Sequence, residues 1–97
     1  MKYSIRYSPF AKEDKISIKT YLSKFYSKTP QKFINSLKEH INNLKENPYI
    51  YPKYLENPDY RHMFVKNYVV FYKINETEKK VDIYRISRAS WDLPKYL

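Results

Sequence analysis

Apolar and polar residues alternate strictly at the start of the chain, with Tyr3, Ile5 and Tyr7 on one side and Lys2, Ser4 and Arg6 on the other. A period of two sends alternate side chains to opposite faces, so this segment reads as a half-buried strand. The period then changes. Ser8-Pro9 is a helix-entry signal, with Ser as N-cap and Pro at the first helical position, and Glu13 and Asp14 in the early turns suit the helix dipole. Ala11, Ile18, Leu22 and Phe25 recur at helical spacing with Tyr21 beside them, predicting a helix over residues 9–26. Thr29-Pro30 repeats the entry signal. Phe33, Ile34, Leu37, Ile41 and Leu44 form a clean apolar stripe, and Lys32, Lys38, Glu39 and Lys45 lie away from it. This second helix stops before Asn47-Pro48, because the residue preceding proline resists the helical region. With only Ser27 and Lys28 between them, the two helices make an antiparallel hairpin.

Residues 47–59 read as loop, with Pro48, Pro52 and Pro58 interleaved with Tyr49, Tyr51 and Tyr54. Aromatics in such a loop fold back over the core; the alternative is a stacking surface for bases. Three short strands follow within residues 60–87, rich in Tyr, Val, Phe and Ile. Lys66-Asn67 separates the first two, and the polar run 75–80 separates the second from the third. Strands joined so tightly pair antiparallel. The expected architecture is therefore α+β in the order β-α-α-β-β-β. A helix hairpin packs on one face of a small twisted antiparallel sheet, and the first strand lies at an edge or beside the last. The other face is left to present cations and aromatics. A ten-residue tail, RASWDLPKYL, follows, in which Trp91, Tyr96 and Leu97 pin the tail by burial or leave a terminus that a target recognises.

Composition narrows the chemistry. The 97 residues make one domain, spanning 1–97, with a single modest core. Cysteine is absent, which removes disulfides and thiolate metal sites, and two histidines make any metal site improbable; no cofactor is expected. Glycine is absent too, so Gly-rich phosphate loops are excluded and turns fall to Asn, Asp and Pro. No window approaches the roughly 18 consecutive apolar residues of a membrane span, and MKYSIRYS lacks the unbroken apolar core of a signal peptide. A soluble, cytoplasmic protein is the expectation.

Nineteen basic residues against ten acidic ones give a net charge of +9, which favours an acidic partner, nucleic acid or protein. The plain alternative is a lysine-rich surface that serves solubility, since 15 of the cations are Lys. Cations also fall among the strands, as Arg61, Lys66, Lys73, Arg85 and Arg88. Strand alternation can turn Arg61 or Arg85 toward the helices, where either needs a buried partner. His40 flanks the apolar stripe of the second helix and reads as a boundary residue. His62 lies on the strand side opposite Met63 and Val65, so it faces outward if those two face the helices. It is a general acid/base candidate because its unperturbed pKa is near neutrality. No Ser–His–Asp set or carboxylate pair is evident, so catalysis would fall to Lys, Arg, His and Tyr acting on a phosphodiester.

Three stretches carry a resemblance over nearly the full length: YSIRYSPFAKED, LKENPYIYPKYLENPDYR, and RHMFVKNYVVFYKI with the later VDIYRI. In their order and spacing the chain resembles the RelE/ParE-superfamily toxins of bacterial type II toxin–antitoxin modules. That resemblance implies a toxin held inactive by a cognate acidic antitoxin that covers its basic surface. Some members cleave mRNA on the ribosome and others poison DNA gyrase. Ribonuclease members usually carry an arginine near the start of the third strand, where this chain has Val69, and a basic residue after the last strand, where it has Trp91. Many end in a basic pair followed by Asp, where this chain has Ser90-Trp91-Asp92.

Three readings follow. A ParE-like inhibitor of gyrase would bind through Arg61, Lys73, Arg85, Trp91 and Tyr96. A RelE-like ribosome-dependent endoribonuclease would use His62, Lys66 and Arg88 as catalytic residues. A small basic nucleic-acid-binding module is consistent with the charge alone. The strand motif and the missing arginines favour the first.

Overall fold

The computed structural model describes residues 2–25 and 28–89. Its elements are β1 (Ser4–Tyr7), α1 (Pro9–Phe25), α2 (Thr29–Glu46), β2 (Arg61–Val65), β3 (Tyr68–Asn75) and β4 (Lys80–Arg88). The expected order holds throughout. Trp91 and Tyr96 lie outside the described residues.

The sheet runs β1-β4-β3-β2. The last three strands form an antiparallel meander, as their short connections require. β1 lies at the edge beside the last strand and pairs parallel to it, Ser4 opposite Lys80 and Tyr7 opposite Ile83, so the sheet is mixed. The helix hairpin between β1 and β2 gives the chain length to make that non-local pairing. Both helices cover one face. Ala11, Ile18 and Leu22 of α1 and Phe33, Ile34, Leu37, Ile41 and Leu44 of α2 meet Met63, Val65, Tyr68, Val70, Tyr72, Val81, Ile83 and Ile86 of the sheet. Phe25 continues the α1 spacing but is 64% exposed and leans on the Tyr21 ring at 5.2 Å.

A β-bulge in β4 opposite Phe71 and Tyr72 shifts the register, which is why Ile83 and Ile86, three apart, both face the helices. Beyond Ile83 the β1 partner has ended, and α1 takes over the open edge of β4. Ser8 caps α1 as expected, its Oγ accepting from the Ala11 N–H at 3.0 Å and donating to the Tyr84 carbonyl at 2.6 Å. Asp14, expected to serve the helix dipole, instead accepts the Ile86 N–H at 2.9 Å. The second entry signal works differently. Lys28 is the N-cap of α2 and makes no side-chain cap, so Thr29 is already helical and Pro30 follows it. The His40 ring lies at the stripe boundary with Nδ1 at 2.7 Å from the Ser36 carbonyl.

The loop after α2 folds back over the sheet as expected. The buried Tyr72 hydroxyl donates to the Pro48 carbonyl at 2.7 Å, and desolvation holds its pKa above the usual phenol range. Tyr54 packs with Val69 and Phe71 into a second small core on the helix-free face. That face is therefore partly covered by its own loop. In the absence of glycine, the left-handed backbone positions fall on lysines: Lys66 in the β2–β3 turn and Lys79 in the β3–β4 turn, each at φ 54. The Asn75 side chain supports the second turn by accepting the Glu78 N–H at 3.0 Å.

Candidate target-binding surface

Carboxylates are unevenly distributed. Residues 15–38, 60–75 and 83–89 contain none, while they carry Lys19, Lys24, Lys28, Lys32, Lys66 and Arg88. The fold gathers the last five of these at one end, where the helix-hairpin turn meets the β2–β3 turn and the end of β4. None of them is ion-paired to a described carboxylate. The pairs that do form, such as Lys2–Glu46, Arg6–Asp82 and Lys79–Glu76, lie toward the other end. The cationic end is also apolar underneath. A cavity of about 260 Å³ is lined by Leu22, Phe33 and Tyr68 together with Thr29, Lys66 and Arg88. A second, of about 230 Å³, shares Tyr21, Tyr68 and Arg88 and adds Ser17 and Ile18. The Arg88 guanidinium lies over the Tyr21 ring at 5.5 Å. Burial raises the Tyr68 pKa while Arg88 pulls it back. This arrangement presents cations with no carboxylate partner among the described residues around an apolar trough, which suits a protein or polyanion surface.

The other sequence candidates are distributed differently. His62 is on the helix-free face as expected, since Met63 and Val65 are buried under the helices. Its ring is wedged edge-on between Tyr54 at 5.6 Å and Phe64 at 5.7 Å. Nδ1 is sealed from solvent without a hydrogen-bond partner. Lys66 is four residues further on, roughly 13 Å along a strand, and its cavity does not include His62. The fold thus joins Lys66 to Arg88 and leaves His62 apart.

Arg61 holds the loop: its Nη1 donates to the Tyr51 carbonyl at 2.8 Å and its guanidinium covers the Tyr49 ring at 5.1 Å. Arg85 makes a bidentate pair with Asp14, Nε to Oδ2 at 2.8 Å and Nη2 to Oδ1 at 3.1 Å, which raises its pKa. Each thus has a partner within the fold, although neither is buried and the Arg85 side chain stays 41% exposed. Lys73 is exposed and stands over the Tyr60 ring at 5.4 Å, which itself stacks on Tyr84 at 5.3 Å.

Sequence reasoning missed two features. Tyr21 and Tyr68 belong to the cationic trough, and only their proximity in three dimensions reveals it. Glu76 gathers the hydroxyls of Tyr3 and Tyr49 and the ammonium of Lys79. Donation by the Lys79 ammonium, then by the Tyr49 and Tyr3 hydroxyls, drops the Glu76 pKa to about 2; the hydrogen bond to the Glu76 carboxylate in turn lifts the Tyr49 pKa to about 12. The node ties β1, the loop and the β3–β4 turn together.

A helix hairpin on one face of a four-stranded mixed sheet, with a cationic end that holds no carboxylate among the described residues, defines a small basic α+β protein. Residues 5–93 match the sequence profile described as ParE toxin of type II toxin-antitoxin system, parDE. No curated protein matches the chain. The chain belongs to the ParE toxin family and is the toxin of a type II toxin–antitoxin system. Among solved structures, the chromosomal ParDE system of P. aeruginosa superposes with a TM-score of 0.77 at 16% identity, over 92% of this chain and 98% of that one. The isolated E. coli RelE toxin gives 0.65 at 17%, over 93% and 87%. The RelBE2 toxin–antitoxin complex of Mycobacterium tuberculosis gives 0.63 at 18%, over 91% and 99%. Membership in that family makes an antitoxin the partner of this chain. Among the described residues no helix is long and apolar enough to cross a membrane.

Proposed function

We propose that this toxin arrests growth by binding DNA gyrase in the cytoplasm, in the manner of ParE members, and that it performs no chemistry of its own. One observation carries this reading: the residues a ribonuclease would use are not assembled. His62 is pinned between aromatic rings with one nitrogen sealed, apart from the cavity that Lys66 and Arg88 share. General acid–base catalysis needs the proton-transfer group within hydrogen-bond reach of the reacting atoms. Binding needs only surface complementarity, and the trough lined by Lys66 and Arg88, next to the lysine-rich helix-hairpin turn, supports that reading. Lys73 on the helix-free face adds a further exposed cation to the target surface, whereas Arg61 and Arg85 act through the loop and α1.

The test pairs two assays on purified toxin: gyrase supercoiling of a relaxed plasmid, and primer extension on transcripts in a ribosome-containing extract. Supercoiling should be inhibited by wild type and by His62→Ala, and weakened by Lys66→Glu with Arg88→Glu. Transcripts should stay intact. Ribosome-dependent cleavage that His62→Ala abolishes, with supercoiling untouched, overturns the reading in favour of a RelE-like nuclease. Association with the acidic antitoxin should slow steeply with salt, since charge steering is screened over about 8 Å at physiological ionic strength.

A further inference from the structure

The larger cavity of the trough, about 260 Å³, gathers polar groups from three places: Thr29 at the start of α2, Lys66 and Asn67 in the β2–β3 turn, and Arg88 at the end of β4. The Ala89 N–H bonds the Asn67 carbonyl at 2.8 Å, which holds the turn and the strand end together. Tyr68 lies among these groups, its ring fixed against Phe33 at 4.9 Å. It is only 7% exposed, yet its hydroxyl has no hydrogen-bond partner among the described residues and is not sealed in protein, so it opens into the cavity. A hydroxyl held so deep is normally paired. The start of α2 is unsatisfied as well, because Lys28 supplies no side-chain cap to the N–H groups of the first turn. Lys66 and Arg88 have no carboxylate partner among the described residues. Donors thus converge on one cavity without an acceptor.

The second cavity, about 230 Å³, differs in chemistry: its walls are Ile18 and the rings of Tyr21 and Tyr68, with the Ser17 hydroxyl at its edge. The two cavities share Tyr21, Tyr68 and Arg88, so one ligand can span both. Its anionic end meets Lys66, Arg88 and the Tyr68 hydroxyl, and its apolar body meets Ile18 and Tyr21. The donor set selects the anion. A phosphate monoester brings a charge of about −1.5 to −2 and three acceptor oxygens at neutral pH, which match two cations and the converging donors. A carboxylate brings one charge and two oxygens, and leaves donors unpaired. A metal ion does not fit, since no His, Asp or Glu is among the described lining residues.

We propose that the trough is a binding site for a nucleoside monophosphate, its phosphate held by Lys66, Arg88, the Tyr68 hydroxyl and the start of α2, and its base lying against Tyr21 and Ile18. A base suits the second cavity because it is planar, stacks on an aromatic ring and carries a polar edge that the Ser17 hydroxyl can meet. The ligand occupies the surface on which the target-binding reading rests, but its binding does not depend on that reading.

The experiment titrates the purified full-length toxin with adenosine 5′-monophosphate, with inorganic phosphate and with adenosine, reading heats by calorimetry and amide shifts by ¹⁵N NMR. The monophosphate should bind at least about tenfold tighter than either fragment, and should move the amides of Thr29, Asn67 and Tyr68. Lys66→Gln and Arg88→Gln should each weaken it at least about tenfold. Tyr68→Phe keeps the ring and should weaken it about three- to tenfold through the lost hydroxyl. Tyr21→Ala should weaken the monophosphate while leaving the weaker binding of inorganic phosphate unchanged. Circular dichroism checks that each variant folds. No saturable binding of the monophosphate at millimolar concentration, or binding that Tyr68→Phe and Arg88→Gln leave unchanged, overturns the proposal. Binding of a short single-stranded oligonucleotide without binding of the monophosphate overturns it too, since the surface then recognises a polymer. Gyrase inhibition is read separately in the supercoiling assay, so failure of that reading and failure of this proposal are distinguishable.

Discussion

Asp14 offers the sharpest test of how α1 is held to the sheet. Its carboxylate receives three hydrogen bonds, two from Arg85 and one from the Ile86 backbone, at a stretch of β4 where no strand covers the edge. Asp14→Ala removes all three. The ion pair contributes modestly, about 1 kcal/mol, because the Arg85 side chain is 41% exposed and water screens it. The Ile86 N–H matters more, since that residue is 2% exposed and an unsatisfied buried donor costs about 1–3 kcal/mol. The total expected loss is about 2–4 kcal/mol. At roughly 4–8 °C per kcal/mol for a domain of this size, the Tm should fall by about 8–32 °C. Asp14→Asn keeps an oxygen for Ile86 and loses only the charge, so it should cost about 1 kcal/mol. Urea melts of both variants, with Arg85→Gln completing a double-mutant cycle, separate the two contributions. Equal losses for Ala and Asn, or a loss below about 0.5 kcal/mol for Ala, would refute the assignment of the larger share to the backbone donor.

Leu37 is 1% exposed at the centre of the α2 stripe, and Leu37→Ala should cost about 2–5 kcal/mol in the same melts; a few tenths would mean the stripe is not the packed face. Glu76, with its pKa lowered to about 2 from 4.5, stabilises the fold fully above pH ~4.5, and that contribution is lost as pH falls through about 2. Carboxyl-detected NMR should place its midpoint near 2, and Glu76→Gln should flatten the stability profile over that window; a midpoint above 4 contradicts the three-donor geometry. Lys66 sits at φ 54, where a residue with a Cβ is disfavoured by roughly 1–2 kcal/mol. Lys66→Asn should raise stability by up to about 1 kcal/mol in thermal melts while weakening gyrase inhibition, and a loss of stability would mean that the lysine side chain supports the turn.

Much of this molecule follows from local rules acting on a single chain. The two-residue period of Tyr3, Ile5 and Tyr7, the helical stripe from Phe33 to Leu44 and the prolines at residues 9, 30 and 48 set β1, α1 and α2 to within a few residues. The short Lys66-Asn67 link dictated antiparallel pairing of β2 and β3, because two residues cannot carry the chain to a parallel return. The family was legible from the same stretches. Tertiary structure decided what depends on contacts between distant segments. Phe25 has the spacing of a core residue and lies exposed, since spacing fixes direction but not whether a sheet lies opposite. The bulge in β4 set which residues met the helices, and Asp14, 71 positions away, gave Arg85 its carboxylate. Lys66 and Arg88 came to share a cavity while His62, nearer to Lys66 in sequence, was left on another face, because a turn and a strand end can meet where two positions of one strand cannot. That β1 lies at an edge beside the last strand was expected, but its parallel direction was not: it depends on where β4 leaves its own edge free once the meander has formed.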